Sequence, residues 1–488
     1  VRFIETIQSR CWCLCFVLLA SIGCAGLPPV PSKGGPRWLR LETEHFVLYS
    51  DQAPQLARTT ITQFERWLSA YLQTGWQSEG KLALKLNVIV MDDRAEFEHL
   101  FGTLISGSFD RSMLFEPLVV MPRTNRSENW ATLKHEVTHY LAQQAFVDQP
   151  VWLAEGLATY FETAYEDPSG AFVLGAVPRA RFRRLREQGR MPVRELFAAQ
   201  NTRQDPRVYE SSWLLVHCLM SEHATEFAKF QALIATGKSS EASWSEAFPA
   251  LPIAELDAVL DRYAARGVYA TYASKVQVAA PSVQTHALTD ADVYAVRAEL
   301  YLVCQDCGEP KRPEVDRNIA LALGADPGHL RALALRANRT QGAERLAVSR
   351  DLVRLHPSAW LSWMMLANAE LDSANGLAVC DAEVPVRLLS LAPNQPYALG
   401  LAAQCELRAG REQTALDWSE RAVRLRPAST SLLLQRAEIL QALSHCAELE
   451  ALLPRLENGW HEPVPAAQLE ALSHCPVARH AALAGQSP

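Results

Sequence analysis

The 488-residue chain has no apolar run long enough to cross a bilayer. Its longest, Cys11 to Gly23, falls short of the roughly 18–20 residues that a spanning helix needs. Charge of either sign is not in excess: the formal net charge is −7, which gives no electrostatic reason to expect a nucleic-acid partner. Glycine and proline, at 23 and 28 residues, are too few for a long low-complexity tract between domains. There is no glycine-rich phosphate loop and no Gly-x-Ser-x-Gly elbow, so nucleotide-phosphate and serine-hydrolase chemistry lack their usual marks. Cys304-x-x-Cys307 has no second CxxC beside it, which argues against a structural zinc knuckle. What remains is an ordinary globular composition, 49% hydrophobic and 21% charged, on a chain long enough for two or three domains.

The first residues differ from the rest. Arg2 and Arg10 flank a weak n-region that also carries Glu5, and the apolar run that follows ends in Ala20-Ser21-Ile22-Gly23-Cys24. Gly26, Pro28, Pro29, Pro31, Gly34, Gly35 and Pro36 then read as a tether. This order resembles a bacterial lipoprotein signal (1–23) followed by a tether (24–36), although Ser21 stands where leucine is usual. The resemblance implies Cys24 as the lipid site, with a plain cleaved signal or an uncleaved anchor as alternatives. It also implies the periplasmic face of the outer membrane, because Ala25 is not the aspartate linked to inner-membrane retention. Secretion and inner-membrane anchoring stay open. Four of the eleven cysteines lie in this segment. Cys304, Cys307, Cys380, Cys405, Cys446 and Cys475 could form three bridges in an exported protein, leaving Cys218 free, and the sequence does not fix the pairing.

From Trp38 to Pro122 the pattern predicts alternating strands and helices. Strands are expected at His45–Tyr49 and Leu82–Met91, and a helix at Gln55–Thr74 with Leu56, Ile61, Phe64, Leu68 and Leu72 near one face. Leu114–Met121 reads as a strand at a sheet edge, because Pro117 lies within it. A helix follows from Arg126 to Gln144, with Asn125 and Glu128 spaced as a capping box. Pro150 opens another helix, through Glu162. The stretch from Asp167 to Asp205 holds Arg179, Arg181, Arg183, Arg184, Arg186, Arg190 and Arg194. They read as a solvated helix face, or alternatively as a basic rim for an anionic substrate. Helices are expected again over Tyr209–Glu222, Glu226–Thr236 and Ile253–Arg266.

Beyond residue 285 the chain reads as helical throughout. Pro393 and Pro427 lie 34 residues apart, and Ala403, Gly410, Ala415 and Ala422 occupy small-residue positions between them. Trp363, Leu366 and Ala367 match a looser preceding unit headed by Pro357, and Pro327 marks a further possible start. The pattern resembles tetratricopeptide repeats over 285–472, with 473–488 as a tail. A non-repetitive helical bundle is the alternative.

The chemistry lies in His135-Glu136-Val137-Thr138-His139. Residues four apart share a helix face, so both imidazoles can reach one metal ion. Glu136, next to the first ligand, is then placed to take a proton from water. A catalytic zinc site needs three protein ligands. Glu155 is expected as the third, one turn into a helix that returns antiparallel along the first. Gly156 removes a side chain where those helices approach, and Thr159, one turn further, is a candidate partner for a ligand. His217 and Cys218 read as core residues, and His45 and His99 as surface or strand-end residues.

HExxH followed by Trp152-Leu153-Ala154-Glu155-Gly156 resembles the gluzincin group of metallopeptidases, in particular peptidase MA-like domains. The resemblance covers about residues 37–270 (domain 37–275) and extends to Val208-Tyr209-Glu210-Ser211-Ser212. It implies that Tyr209 steadies the oxyanion, although Ser212 stands where glycine is usual. It also implies that the strand near Leu118–Met121 lines the cleft and pairs with extended substrate. The Gly-x-Met-x-Asn exopeptidase signature is absent and Ser106-Gly107-Ser108 is no substitute, so aminopeptidase specificity does not transfer.

These readings converge on an α+β chain: a thermolysin-like domain, with a small mixed sheet and a helical lobe carrying the HExxH helix, followed by an all-α TPR-like solenoid. The expected function is hydrolysis of peptide bonds with Zn2+, with Glu136 as general base. Expected partners are a protein or peptide substrate, a protein in the repeat groove, and a membrane through the N-terminal lipid. Two alternatives stand: an interaction scaffold with an inactive metal domain, and hydrolysis of other amides such as those of the cell wall.

Overall fold

The computed structural model describes residues 28–74, 84–101, 108–111, 114, 116–123, 127–146, 149–199, 205–277, 279–303, 312–372, 379–457 and 464–475. Cys24 and the signal segment, Ser106-Gly107, Asn125, Cys304 and Cys307 lie outside the described residues.

The first half opens with β1 (Leu39–Glu42), β2 (Phe46–Ser50), α1 (Pro54–Thr74) and β3 (Leu86–Met91). It continues through α2 (Arg94–Phe101), β4 (Ser108–Arg111), β5 (Pro117–Pro122), α3 (Ser127–Ala145) and α4 (Val151–Glu162). Next come β6 (Tyr165–Glu166), β7 (Ala171–Leu174), α5 (Arg179–Gln188), α6 (Val193–Ala198) and α7 (Arg207–Glu222). Then follow α8 (Ala224–Ala235), α9 (Ser240–Ala247), α10 (Leu256–Arg266), β8 (Tyr272–Lys275) and β9 (Gln284–Ala287).

Six strands form a mixed sheet in the order β4-β5-β3-β2-β1-β9. The β2–β3 and β3–β5 pairs are parallel and the others antiparallel. Alternate residues along a strand face opposite sides, and here both sides are covered. Leu48, Val88, Val90, Val119 and Met121 join the core beneath α1 and α3. Val47, Tyr49, Ile89, Met91, Leu118 and Val120 pack against Phe97, Leu100, Val293, Val296 and Leu300. Coverage on both faces explains why β3 is apolar from Val88 to Met91.

The expected edge strand is a correction. β5 pairs with β3 on one side and β4 on the other, so β4 holds the edge. Pro117 is tolerated because it is the first residue of its strand, where a missing N–H costs least. Both sides of the Leu118–Val120 stretch are thus occupied within the chain, so an extended substrate does not pair along it.

The second half is a run of packed helices. These are α11 (Asp290–Val303), α12 (Arg312–Ala325), α13 (Leu330–Arg339), α14 (Gly342–Leu355), α15 (Trp360–Asp372) and α16 (Glu383–Leu391). They continue with α17 (Pro396–Arg408), α18 (Glu412–Leu425), α19 (Thr430–Ala442), α20 (Cys446–Glu457) and α21 (Ala466–Ser473). Helices α17 and α19 start 34 residues apart, and Ala403 and Ala415 are fully buried against Ile439 where the pairs stack. Gly410 turns α17 into α18 at φ 74°, a left-handed conformation that favours glycine. Disulfides Cys380–Cys405 and Cys446–Cys475 staple this half, while Cys218 is buried and free.

The two halves share a core. β9 completes the sheet beside β1, and α11 packs on the sheet face. Arg331 of α13 donates to both oxygens of Glu299 at 2.8 and 2.9 Å and to Glu116 at 3.2 Å, with its guanidinium 5.5 Å from the Tyr49 ring. Further along, Arg426 donates to Gln143 on α3 at 2.7 Å and to the Tyr397 hydroxyl at 3.0 Å.

Helix α4 is buried on every side, and it crosses α7 at Gly156. A Cβ at that position would stand 2.4 Å from Val216 Cγ2 and 2.7 Å from the Ser212 carbonyl oxygen. The close approach expected of Gly156 is therefore to α7 rather than to α3. Gly156→Ala is expected to destabilise the fold by about 1–3 kcal/mol, because backbone on the facing helix must move. Denaturant unfolding checks this, and unchanged stability would show that the crossing adapts.

Candidate metal centre

Helix α3 carries His135 and His139 on one face, and α4 packs along it. Two hydrogen bonds fix the depth of α3. The Thr138 hydroxyl donates to the Lys134 carbonyl at 2.6 Å, and the Tyr71 hydroxyl of α1 donates to Thr138 at 2.7 Å. The Lys134 ammonium donates to the Ala164 carbonyl just past the end of α4.

In this frame His135, His139 and Glu155 are all buried and offer ligand atoms within 4.8 Å of one another. Glu155 Oε2 lies 3.2 Å from His135 Nε2 and 3.7 Å from His139 Nε2. The imidazole rings meet edge to face at 4.7 Å between centroids. Glu155 Oε2 is buried and accepts no hydrogen bond among the described residues. A buried carboxylate oxygen left this way is costly unless a cation meets it. Two imidazoles and one carboxylate form a donor set suited to a transition-metal ion, so the residues fit a metal.

The other side of His135 is also engaged. Its Nδ1 lies 2.9 Å from Glu162 Oε2, an arrangement that fixes ring orientation and leaves Nε2 for a metal. Glu162 in turn accepts from Arg181 of α5, through Nε at 2.9 Å and Nη2 at 3.1 Å. The Arg181 guanidinium sits 4.5 Å from the centre of the Tyr209 ring, and that ring is 6.1 Å from the His135 ring. Arg184 pairs with Glu210 at 2.5 Å, so α5 holds both α4 and α7.

Electrostatics follow from burial and these contacts. Burial disfavours a charged His135, but the adjoining Glu155 and Glu162 carboxylates raise its pKa to about 10. Burial pushes His139 down to about 4. Against burial, His135 and Arg181 hold Glu162 at about 2. Burial raises Glu136 to about 7, with the neighbouring His135 charge opposing it, a value suited to exchanging a proton near neutral pH.

Two expected roles change. Thr159 is buried, yet its hydroxyl has no hydrogen-bond partner among the described residues, and the partner of a ligand is Glu162 instead. The arginine-rich stretch divides: Arg181 and Arg184 are tied to buried carboxylates, whereas Arg179, Arg183 and Arg186 are exposed. Glu162 and Arg181 were missed in the sequence. Glu162 carried a usable signal, being seven residues after Glu155 and thus on the same helix face, but Arg181 comes from a separate element. His217 is a satisfied core residue, with Nδ1 2.7 Å from the Tyr263 hydroxyl and Nε2 2.9 Å from the Gly175 carbonyl. Burial pushes the Cys218 thiol up to about 12, so it is inert at neutral pH.

With its pKa near 10, His135 is protonated at neutral pH in the metal-free protein, and a bound ion must displace that proton. Metal affinity is therefore expected to rise about tenfold per pH unit between pH ~6 and ~8, with roughly one proton released per ion. Calorimetric titration in buffers of different ionisation enthalpy reads this directly. Uptake without proton release would contradict the His135 assignment.

No curated protein resembles the chain closely enough to count as a match. Among solved structures, a monomeric IFIT1 mutant with m7Gppp-AAAA is 16% identical at TM-score 0.29, over 69% of this chain and 66% of that one. The human IFIT1 dimer with PPP-AAAA is 16% identical at TM-score 0.28, over 58% and 63%. The human IFIT1 dimer with m7Gppp-AAAA is 16% identical at TM-score 0.27, over 69% and 64%. The chain thus spans less than two thirds of the length of each, and likeness at this level assigns neither site nor function. Residues 129–240, which hold both histidines, Glu155, Glu162, Arg181 and Tyr209, match the family described as "Protein of unknown function (DUF1570)".

Proposed function

We propose that the chain is a zinc-dependent hydrolase of peptide bonds. The observation that carries this reading is the buried His135–His139–Glu155 group beside Glu136. His135, His139 and Glu155 would hold the ion, and two histidines with one glutamate are a ligand set used by catalytic zinc. Zinc, when bound, supplies Lewis acidity, polarising a carbonyl and making water acidic enough to lose a proton near neutral pH. Glu136 takes a proton from the attacking water and returns it to the leaving amine. The Tyr209 hydroxyl donates to the oxyanion that develops on the scissile carbonyl. His135 is kept in orientation by Glu162, so that its Nε2 stays directed at the ion.

The gluzincin assignment, the tetratricopeptide identity of the helix pairs and lipid anchoring through Cys24 belong to the same proposal. Export is in keeping with the two disulfides of the helical half, since such bridges persist in oxidising compartments.

Zinc content by mass spectrometry on purified protein tests the site. About one zinc per chain is expected, lost or greatly weakened in Glu155→Ala. A chain that stays metal-free under zinc supply would sink the hydrolase reading and leave an interaction scaffold. Glu136→Gln should keep the zinc and lose roughly 10²–10⁴-fold in casein cleavage. Cleavage of peptidoglycan but not casein would move the substrate to cell-wall amides.

A further inference from the structure

We infer that Arg181 is a positioning residue that couples the metal ligand His135 to Tyr209, and this rests on the hydrolase reading. Arg181 belongs to a helix of five arginines, and its two-bond grip on Glu162 sets it apart. A bidentate guanidinium–carboxylate pair fixes both planes at once. Glu162, held in that plane, meets His135 Nδ1 with its Oε2. On its other side the same guanidinium lies against the Tyr209 ring. A flat cation on a phenol face is an attractive and orienting contact. One side chain therefore sets the aim of a metal ligand on α3 and of the candidate oxyanion donor on α7. Both of these helices also pack on α4.

The neighbouring Arg184–Glu210 pair anchors α5 to α7, so α5 keeps a tie to α7 when Arg181 is changed. Removing the Arg181 head group should take from the buried Glu162 the two bonds that fix its plane. His135 would then lose the support that fixes its ring orientation, and its Nε2 would be less well aimed at an incoming ion.

The test uses full-length protein carrying Arg181→Ala or Arg181→Lys, with Arg181→Lys retained as the deciding variant if the alanine protein does not fold. Zinc affinity is measured by chelator competition, and kcat and KM on casein. Arg181→Ala is expected to weaken zinc by roughly 10–100-fold, as loss of a ligand's supporting partner does. Arg181→Lys should recover zinc affinity to within a few-fold, because an ammonium still neutralises Glu162. Its kcat should stay reduced by about tenfold or more at unchanged KM, because an ammonium cannot lie flat on the Tyr209 ring.

Wild-type zinc affinity in Arg181→Ala, or full recovery of kcat in Arg181→Lys, would overturn the coupling while leaving the hydrolase reading intact. A wild-type chain that binds zinc and cuts neither casein nor peptidoglycan would instead remove the hydrolase reading. The zinc measurements would then still decide whether Arg181 supports the ligand.

Discussion

Glu155 and Glu162 are both buried on α4, and two carboxylates cannot stay charged in a dry helix interface without cations around them. Much of the surrounding structure answers that constraint. His135 stands between them, with one ring nitrogen toward each carboxylate. His139 approaches Glu155, and Arg181 closes the far side of Glu162. Lys134 is drawn to the carbonyl that ends the same segment. A metal ion on the Glu155 side would complete a balance that Arg181 has already made on the Glu162 side.

The scaffold that holds this arrangement is stiff because α4 is enclosed. Gly156 lets α7 come within a distance that no larger residue permits, and Trp152 stacks between Phe197 and Phe230. The helical second half adds a second constraint. It supplies the last strand of the sheet, covers a sheet face with α11, and touches α3 again through Arg426 and Gln143. The motif helix is thus braced by both halves, and a partner bound to the helical half would act on an element that already contacts the site-bearing core.

Most of the elements were legible because their periodicity is local. The HExxH spacing is a property of one helix, and so is the apolar stripe of α1. Leu114–Met121 was legible as a strand but not as an internal one. Its Pro117 signals only that one N–H is missing, and the partner strand β4 lies just before it in sequence yet carries little apolar pattern. The cysteines show the same limit. Cys380–Cys405 and Cys446–Cys475 were readable as candidates for pairing, but pairing depends on which helices stack, and composition does not encode that.

By itself the sequence determined the candidate ligand triplet in outline: two imidazoles one turn apart, and a glutamate on the next helix. It also determined the helical character of the second half, through the 34-residue spacing of Pro393 and Pro427. Tertiary structure alone decided which groups support that triplet. Arg181 reaches Glu162 only because α5 folds back over α4 and α7, and an arginine on an amphipathic helix looks the same in sequence whether it meets water or a buried carboxylate. Packing, not spacing, selects between those two environments, because the cost of burying Glu162 arises only once α3, α4 and α5 exclude water together.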